Sequence, residues 1–123
     1  PGTGDPSRKG AGKGNGFNVN IHLPCGSNNL DITNAFLNHL RPVALNFAPD
    51  FVLISAGFDS RKNDLLGCFN IDDNGYRNIT KITSEIANAS AGGRIISVLE
   101  GGYNPSGVAS SVSAHVEELI LTI

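Results

Sequence analysis

Two short stretches hold the side chains best able to do chemistry. One, "FVLISAGFDS" at residues 51–60, ends an apolar run and then places a carboxylate at Asp59. The other, "VLEGGYN" at residues 98–104, ends a second apolar run with Glu100, the pair Gly101-Gly102 and Tyr103. An aspartate so placed can ligate a hard or borderline cation at roughly 2.0–2.2 Å. A phenol can donate a hydrogen bond to an oxygen that is gaining charge, and paired glycines let backbone and substrate come close. An aspartate just after a strand also serves as a turn former or helix cap, and a tyrosine after Gly-Gly as a rim aromatic. Taken singly, the residues leave both roles open. His22, His39 and His115 fall on an expected strand and two expected helices, none at a strand's carboxyl end, so they read as packing or surface residues. No His-x-His, His-Glu-x-x-His or Cys-x-x-Cys spacing occurs, and a catalytic zinc requires three protein ligands, so these residues alone do not complete a metal site.

The elements beneath must bring the two stretches together. "FVLIS" and "RIISVL" are continuous apolar runs, which predict strands buried on both faces, as in a parallel sheet. "GFNVNIHLP" alternates Phe17, Val19, Ile21 and Leu23 with polar residues and predicts a period-2 strand. "SNNLDITNAFLNHLRPVALNFAPD" carries helical spacing at Leu30, Ile32, Ala35, Phe36, Leu37 and Leu40. Asn28, Asn29 or Asp31 is available as its N-cap, Pro42 forces a kink or restart, and Pro49 ends it. "DDNGYRNITKITSEIANASAGG" predicts a second helix with Tyr76, Ile79, Ile82, Ile86 and Ala89 on one face. "PSGVASSVSAHVEELILTI" predicts a last helix from Pro105 or Ser106, with Val108, Val112, Val116 and Leu119 inward. The order β-α-β-α-β-α means parallel βαβ units with right-handed crossovers. Such sheets bind ligands at the carboxyl ends of their strands, where Asp59 and Tyr103 would stand.

The 123 residues are 40% hydrophobic and 16% charged with a net charge of −2, one domain's worth of globular chain. That balance is neither basic enough for a nucleic-acid footprint nor charged enough for disorder. No apolar run approaches the roughly 18 residues of a membrane span, and no leader pattern opens the chain. The expectation is an intracellular protein of cytoplasm or nucleus, with no membrane contact and no direct DNA binding. Cys25 and Cys68 read as reduced thiols, and the sequons at Asn78 and Asn88 fall inside an expected helix. Residues 1–16 are glycine-rich with Arg8, Lys9 and Lys13, an expected surface loop. This stretch is not a phosphate loop, because Lys13 is followed by Gly14, and the Gly-x-Gly-x-x-Gly register from Gly10 would need glycine at Asn15. With no methionine and no element before this loop, the chain is expected to be the C-terminal piece of something longer.

Six segments, "PGTGD", "GAGKGNGFNVNIHLP", "RPVALNFAPDFVLISAGFDS", "DLLGCFN", "GYRNIT" and "RIISVLEGGYN", stand in an order and spacing that span nearly the whole chain. Together they resemble the C-terminal part of the zinc-dependent histone deacetylase and acetoin-utilization protein family. "SAGFD" and "LEGGYN" are closer to its class II-like branch. The resemblance implies an α/β, three-layer αβα arrangement with a mainly parallel sheet, part of the arginase–deacetylase fold, with 1–123 as the C-terminal part of a single catalytic domain. It implies a hydrolase that removes acetyl groups from acetyl-lysine in histones or other proteins, or from related acetylated amines. The implied cofactors are one Zn2+ per complete domain and a structural K+ or Na+. Asp59 matches the family's second aspartate zinc ligand, and Tyr103 the tyrosine that polarises the acetyl carbonyl. Gly101 and Gly102 match glycines that line the acetyl pocket, and Leu66 an apolar wall of the acyl-lysine tunnel. Phe17 aligns with a position whose backbone carbonyl helps hold the monovalent cation.

Departures accompany the match. The paired histidines and the Asp-x-His ligands of the family lie upstream of this segment, so the implied partner is the remaining N-terminal part of the domain, and the piece alone is expected to be inactive. Ser60-Arg61 stands where the branch usually reads Ala-His or Ala-Ala, and Leu65 where proline is common. The alternative is a non-catalytic interaction or regulatory module that keeps the fold. Retention of both Asp59 and Tyr103 argues for the enzyme.

Overall fold

The computed structural model describes residues 4–122, so the first three residues of the "PGTGD" segment lie outside the described residues. Residues 4–16 form the expected exposed loop, with a single 3-10 turn at Gly12–Gly14. The strand expected over 17–23 does not form. Alternation alone makes no strand without a ladder partner, and here the polar positions bind the preceding loop instead. Asn18 Nδ2 donates to the Arg8 carbonyl at 2.8 Å, and Asn20 Nδ2 to that of Asp5 at 2.8 Å.

Helix α1 (Asn29–Ala35) opens with the capping box its sequence offers. Asn28 Oδ1 accepts from the Leu30 N–H at 2.8 Å, and the Asn28 N–H donates to Asp31 Oδ2 at 2.9 Å. A wide π turn (Phe36–Leu40) then leads into α2 (Arg41–Phe47), which carries Pro42 in its first turn. The wide turn absorbs the clash a proline ring makes with the carbonyl four residues back. Ala48 closes α2 in the left-handed region at φ 51°.

Strand β1 (Val52–Ala56), helix α3 (Asp73–Ser90), strand β2 (Ile95–Leu99) and helix α4 (Pro105–Thr122) complete the described fold. It is α/β with a parallel sheet, as the letters imply. Val52 pairs with Ile95 and Ala56 with Leu99, so one crossover through α3 joins two parallel neighbours. The core gathers Ala56, Phe58, Ile71 and Tyr76, with Ile54, Ile79, Val108 and Val112 packed against them. Burying a side chain the size of the fully covered Ile71 stabilises the fold by about 1.5–3 kcal/mol. The expectation that both strands are buried on both faces is corrected. Leu53 is 69% exposed and Ile96 50%, because α3 and α4 lie on the Ile54–Ser97 face and no described element covers the other.

Two helix faces keep their expected registers but each departs at one residue. Ala89 is exposed, and the buried residues of α3 are Gly75, Tyr76, Thr80, Ile82, Ser84, Ile86 and Ala87. In α4, Val116 is exposed while Gly107, Ser111, Ala114 and His115 are buried, so small and polar residues take the contact with α3. Cys25 and Cys68 face each other, with Cα atoms 5.3 Å apart and Cys25 Sγ 3.3 Å from the Cys68 carbonyl. The Gly26 N–H donates to the Cys68 carbonyl and the Asn70 N–H to that of Ser27, which lays the two segments side by side.

His115 bridges the layers. Its Nδ1 lies 2.7 Å from Thr80 Oγ1 and its Nε2 2.9 Å from Ser97 Oγ. Burial holds its pKa below the ordinary 6.5, so the folded state favours the neutral ring. When pH falls below 6.5 the unfolded ring takes up a proton that the folded ring resists, so this contribution to stability is present above 6.5 and lost as pH falls toward the depressed folded value. Denaturant midpoints between pH 7.5 and 5.5 are expected to fall more steeply for the parent than for His115→Gln. Parallel profiles would show that the ring is not the titrating group.

Candidate active site

Because β1 and β2 run parallel with Ala56 opposite Leu99, both strands end at one edge of the sheet. Pairing continues past their ends. The Glu100 N–H donates to the Ala56 carbonyl at 3.0 Å, and the Phe58 N–H to the Gly101 carbonyl at 2.7 Å. These bonds seat Asp59 beside Gly101, where an added Cβ would stand 2.6 Å from Asp59 Oδ2. A Cβ at Gly57 would stand 3.2 Å from Oδ1, so the carboxylate occupies a slot left by two missing side chains. Gly102 is confined to glycine by conformation and by space. Its φ is +138°, and a Cβ there would meet Val108 Cγ2 at 2.6 Å.

Tyr103 follows directly, 47% exposed on the same rim. Its N–H donates to Asp64 Oδ2 at 2.7 Å. The other oxygen, Asp64 Oδ1, accepts from the N–H groups of Leu66 and Gly67, each at 2.9 Å. Partial desolvation pushes the Asp64 carboxyl up, but the N–H groups of Gly67, Tyr103, Leu66 and Asn104 outweigh it and hold the pKa below the usual carboxylate value. A second tie runs from Asn104 Nδ2 to the Asn63 carbonyl at 2.9 Å. Leu66 is therefore displayed, 73% exposed, on a loop fastened to the segment that carries Tyr103.

Beneath the rim, the Phe58 ring packs on Tyr76 with centroids 4.9 Å apart, and the Tyr76 hydroxyl lies 2.8 Å from Ser60 Oγ. Burial raises the Tyr76 phenol to about 12, and the nearby Asp59 charge acts in the same direction against the Ser60 bond, so this phenol is neutral at physiological pH. Arg61 reaches under α4. Its Nε donates to Ser111 Oγ at 2.9 Å, its Nη2 stands 3.4 Å from Asp73 Oδ1, and a Cβ at Gly107 would fall 2.9 Å from its Cδ. The Ser110 hydroxyl bond chiefly, against the opposing effect of burial, holds the Asp73 carboxyl low, and Ser111 and Arg61 assist.

The structure thus brings Asp59, Gly101, Gly102 and Tyr103 to one rim, with Leu66 on the adjoining loop. Phe17 is not part of that rim. It is 70% exposed and packs edge-on against Phe47, at the end of α2 that leads into the start of β1. His22 and His39 are exposed, and Glu100 is exposed. Among the described residues no group of three His, Cys, Asp or Glu side chains could hold a metal ion. Asp59, half-buried with its carboxylate against Gly57 and Gly101, has the chemistry of a single carboxylate ligand, and the rest of such a set must come from other residues. Sequence reasoning passed over Asp64 and treated Arg61 as a mere departure. "NDLLG" does spell an Asx-type turn, but the Asp64 bond to a residue 39 positions away leaves no local signal.

The family described as "Histone deacetylase domain" matches residues 1–119. The chain is 37% identical over 121 residues to Histone deacetylase 15 of Arabidopsis thaliana, covering 98% of this chain and 21% of that protein. It is 38% identical over 117 residues to Polyamine deacetylase HDAC10 of Homo sapiens, covering 94% of this chain and 17% of that protein. The crystal structure of the HDA15 HD domain matches with a TM-score of 0.91 at 36% identity, over 99% of this chain and 34% of that one. The chain therefore spans about a fifth of the length of these curated relatives and about a third of the solved domain.

Proposed function

This chain belongs to the histone deacetylase domain family, and from that premise we propose that it supplies one metal-ligating carboxylate and the oxyanion-binding phenol of a zinc-dependent deacetylase centre. The reaction is hydrolysis of an acetyl amide, on acetyl-lysine in histones or other proteins or on a related acetylated amine. The observation that carries the reading is the parallel pairing of β1 with β2, which delivers Asp59 and Tyr103 to the same edge, with the Asp59 carboxylate seated against Gly57 and Gly101.

Each residue has a separable task. Asp59 presents an anionic oxygen to the metal, its carboxylate seated in space that side chains at 57 and 101 would fill. Zinc, when bound, supplies Lewis acidity toward the acyl oxygen and toward water. The Tyr103 hydroxyl donates to the acyl oxygen as negative charge grows on it. Gly101 and Gly102 line the acetyl pocket, and Leu66 forms an apolar wall along the methylene stem of the substrate. The general base and the other metal ligands come from residues beyond this segment of the domain. The Phe17 carbonyl, which accepts no backbone hydrogen bond among the described residues, is one oxygen of a separate K+ or Na+ site.

The test uses a complete domain that contains these residues. Deacetylation of an acetyl-lysine peptide is expected to vanish on chelation and to return with Zn2+, whereas residues 1–123 alone give no measurable turnover. Turnover by the isolated residues, or turnover indifferent to chelator in the complete domain, overturns the reading.

A further inference from the structure

We propose that Asp64 is the positioning residue for Tyr103, holding the tyrosine's backbone while the same carboxylate shapes the Leu66–Gly67 turn. The inference rests on the hydroxyl-donor role given to Tyr103 above. One carboxylate here receives three backbone N–H groups from two loops, one following β1 and the other following β2. A simple Asx turn needs only one oxygen, and Oδ1 alone satisfies it through Leu66 and Gly67. The second oxygen is spent across the rim, on the N–H of Tyr103 at 2.7 Å.

That bond acts where the chain is least determined. Tyr103 follows Gly101 and Gly102, and Gly102 sits at φ +138°, a conformation whose neighbours other residues rarely share. A glycine pair lowers the barrier to swinging the following residue, and the Tyr103 ring, nearly half exposed, is not fixed by packing alone. Anchoring the N–H immediately beyond the swivel fixes where the side chain departs from the backbone. Gly67, in the turn that Asp64 closes, lies so close to the Asp59 carbonyl that a Cβ there would overlap it. The phenol, the Asp59 backbone and the Leu66 wall therefore share one anchor. A displacement of about 1 Å in a catalytic donor can cost about 10²-fold in rate.

The experiment measures kcat, KM and thermal midpoint for Asp64→Ala, Tyr103→Phe and the double variant in the complete domain, with an acetyl-lysine peptide and Zn2+ present. Asp64→Ala is expected to lower kcat by about 10²-fold with KM little changed. In the Tyr103→Phe background the same change is expected to lower kcat by less than about threefold, because a donor already removed cannot be misplaced. Should Asp64→Ala fail to fold, Asp64→Asn keeps one carbonyl oxygen and the same comparison is made with it. An equal factor in both backgrounds overturns the proposal and leaves Asp64 as a loop former. No loss of kcat in Tyr103→Phe itself overturns the role of the phenol, a failure distinct from additivity.

Discussion

Tyr103→Phe in a complete domain is expected to cut kcat by about 10²–10³-fold while KM stays nearly constant. The substitution removes one hydroxyl from a ring that is already half exposed, so neither packing nor the backbone bond to Asp64 is disturbed. What disappears is a donor that matters most when the acyl oxygen carries its greatest charge. An interaction made chiefly in the transition state shows itself in kcat, and one made equally in the ground state shows itself in KM. Steady-state kinetics on an acetyl-lysine peptide make the distinction. A rise in KM matching the fall in kcat/KM, with kcat intact, would make Tyr103 a substrate-binding residue rather than a catalytic one.

Asp59→Asn should have the second large effect, and it should be visible without any assay of turnover. The amide keeps the shape of the carboxylate between Gly57 and Gly101 but loses the charge and one anionic oxygen. Zinc affinity of the complete domain is expected to fall by more than the 10–100-fold typical of losing an outer-shell partner. Zinc content after dialysis against a weak chelator, measured by atomic spectroscopy, reads this directly, and activity restored only at high added Zn2+ accompanies it. Full zinc occupancy in Asp59→Asn at the parent's affinity would remove Asp59 from the ligand set.

The parts of the fold that were legible in the letters are those set by local pattern. The apolar runs before Asp59 and Glu100, separated by an 18-residue amphipathic segment, dictate strand, helix, strand, and right-handed crossover then makes the strands parallel neighbours. That Asp59 and Tyr103 share an edge depends on the two strands being neighbours, which the β1–β2 pairing supplies. Patterns that depend on distant partners were not legible. "GFNVNIHLP" alternates like a strand, yet nothing among the described residues pairs with it, and its asparagines bind the neighbouring loop. The α4 face was read rightly at Val108 and Val112 and wrongly at Val116, because valine looks more apolar than serine and histidine. Yet Ser111 answers Arg61 and His115 answers Thr80 and Ser97, and such bonds make buried polar side chains acceptable. Asp64 escaped for the same reason, since one of its two oxygens bonds to the other loop.

The wide turn at Phe36–Leu40 has a consequence for how the helical arm tolerates change in length. In an unbroken helix, two residues eight positions apart drift by about 80° around the axis. Here Phe36, Leu40 and Ala44 nevertheless line a single groove beside Val52 and Ile54. The looser winding corrects the drift, so the alignment is set by how many residues the turn holds rather than by which ones. Removing one residue between 36 and 40 would let the segment wind as an ordinary α-helix, leaving Phe36 and Ala44 seven positions apart and about 20° from alignment, so α2 would keep its facing. Most point substitutions there would be absorbed, whereas an added residue would turn α2 by about 100° and aim Ala44 and its neighbours away from the strand they now flank.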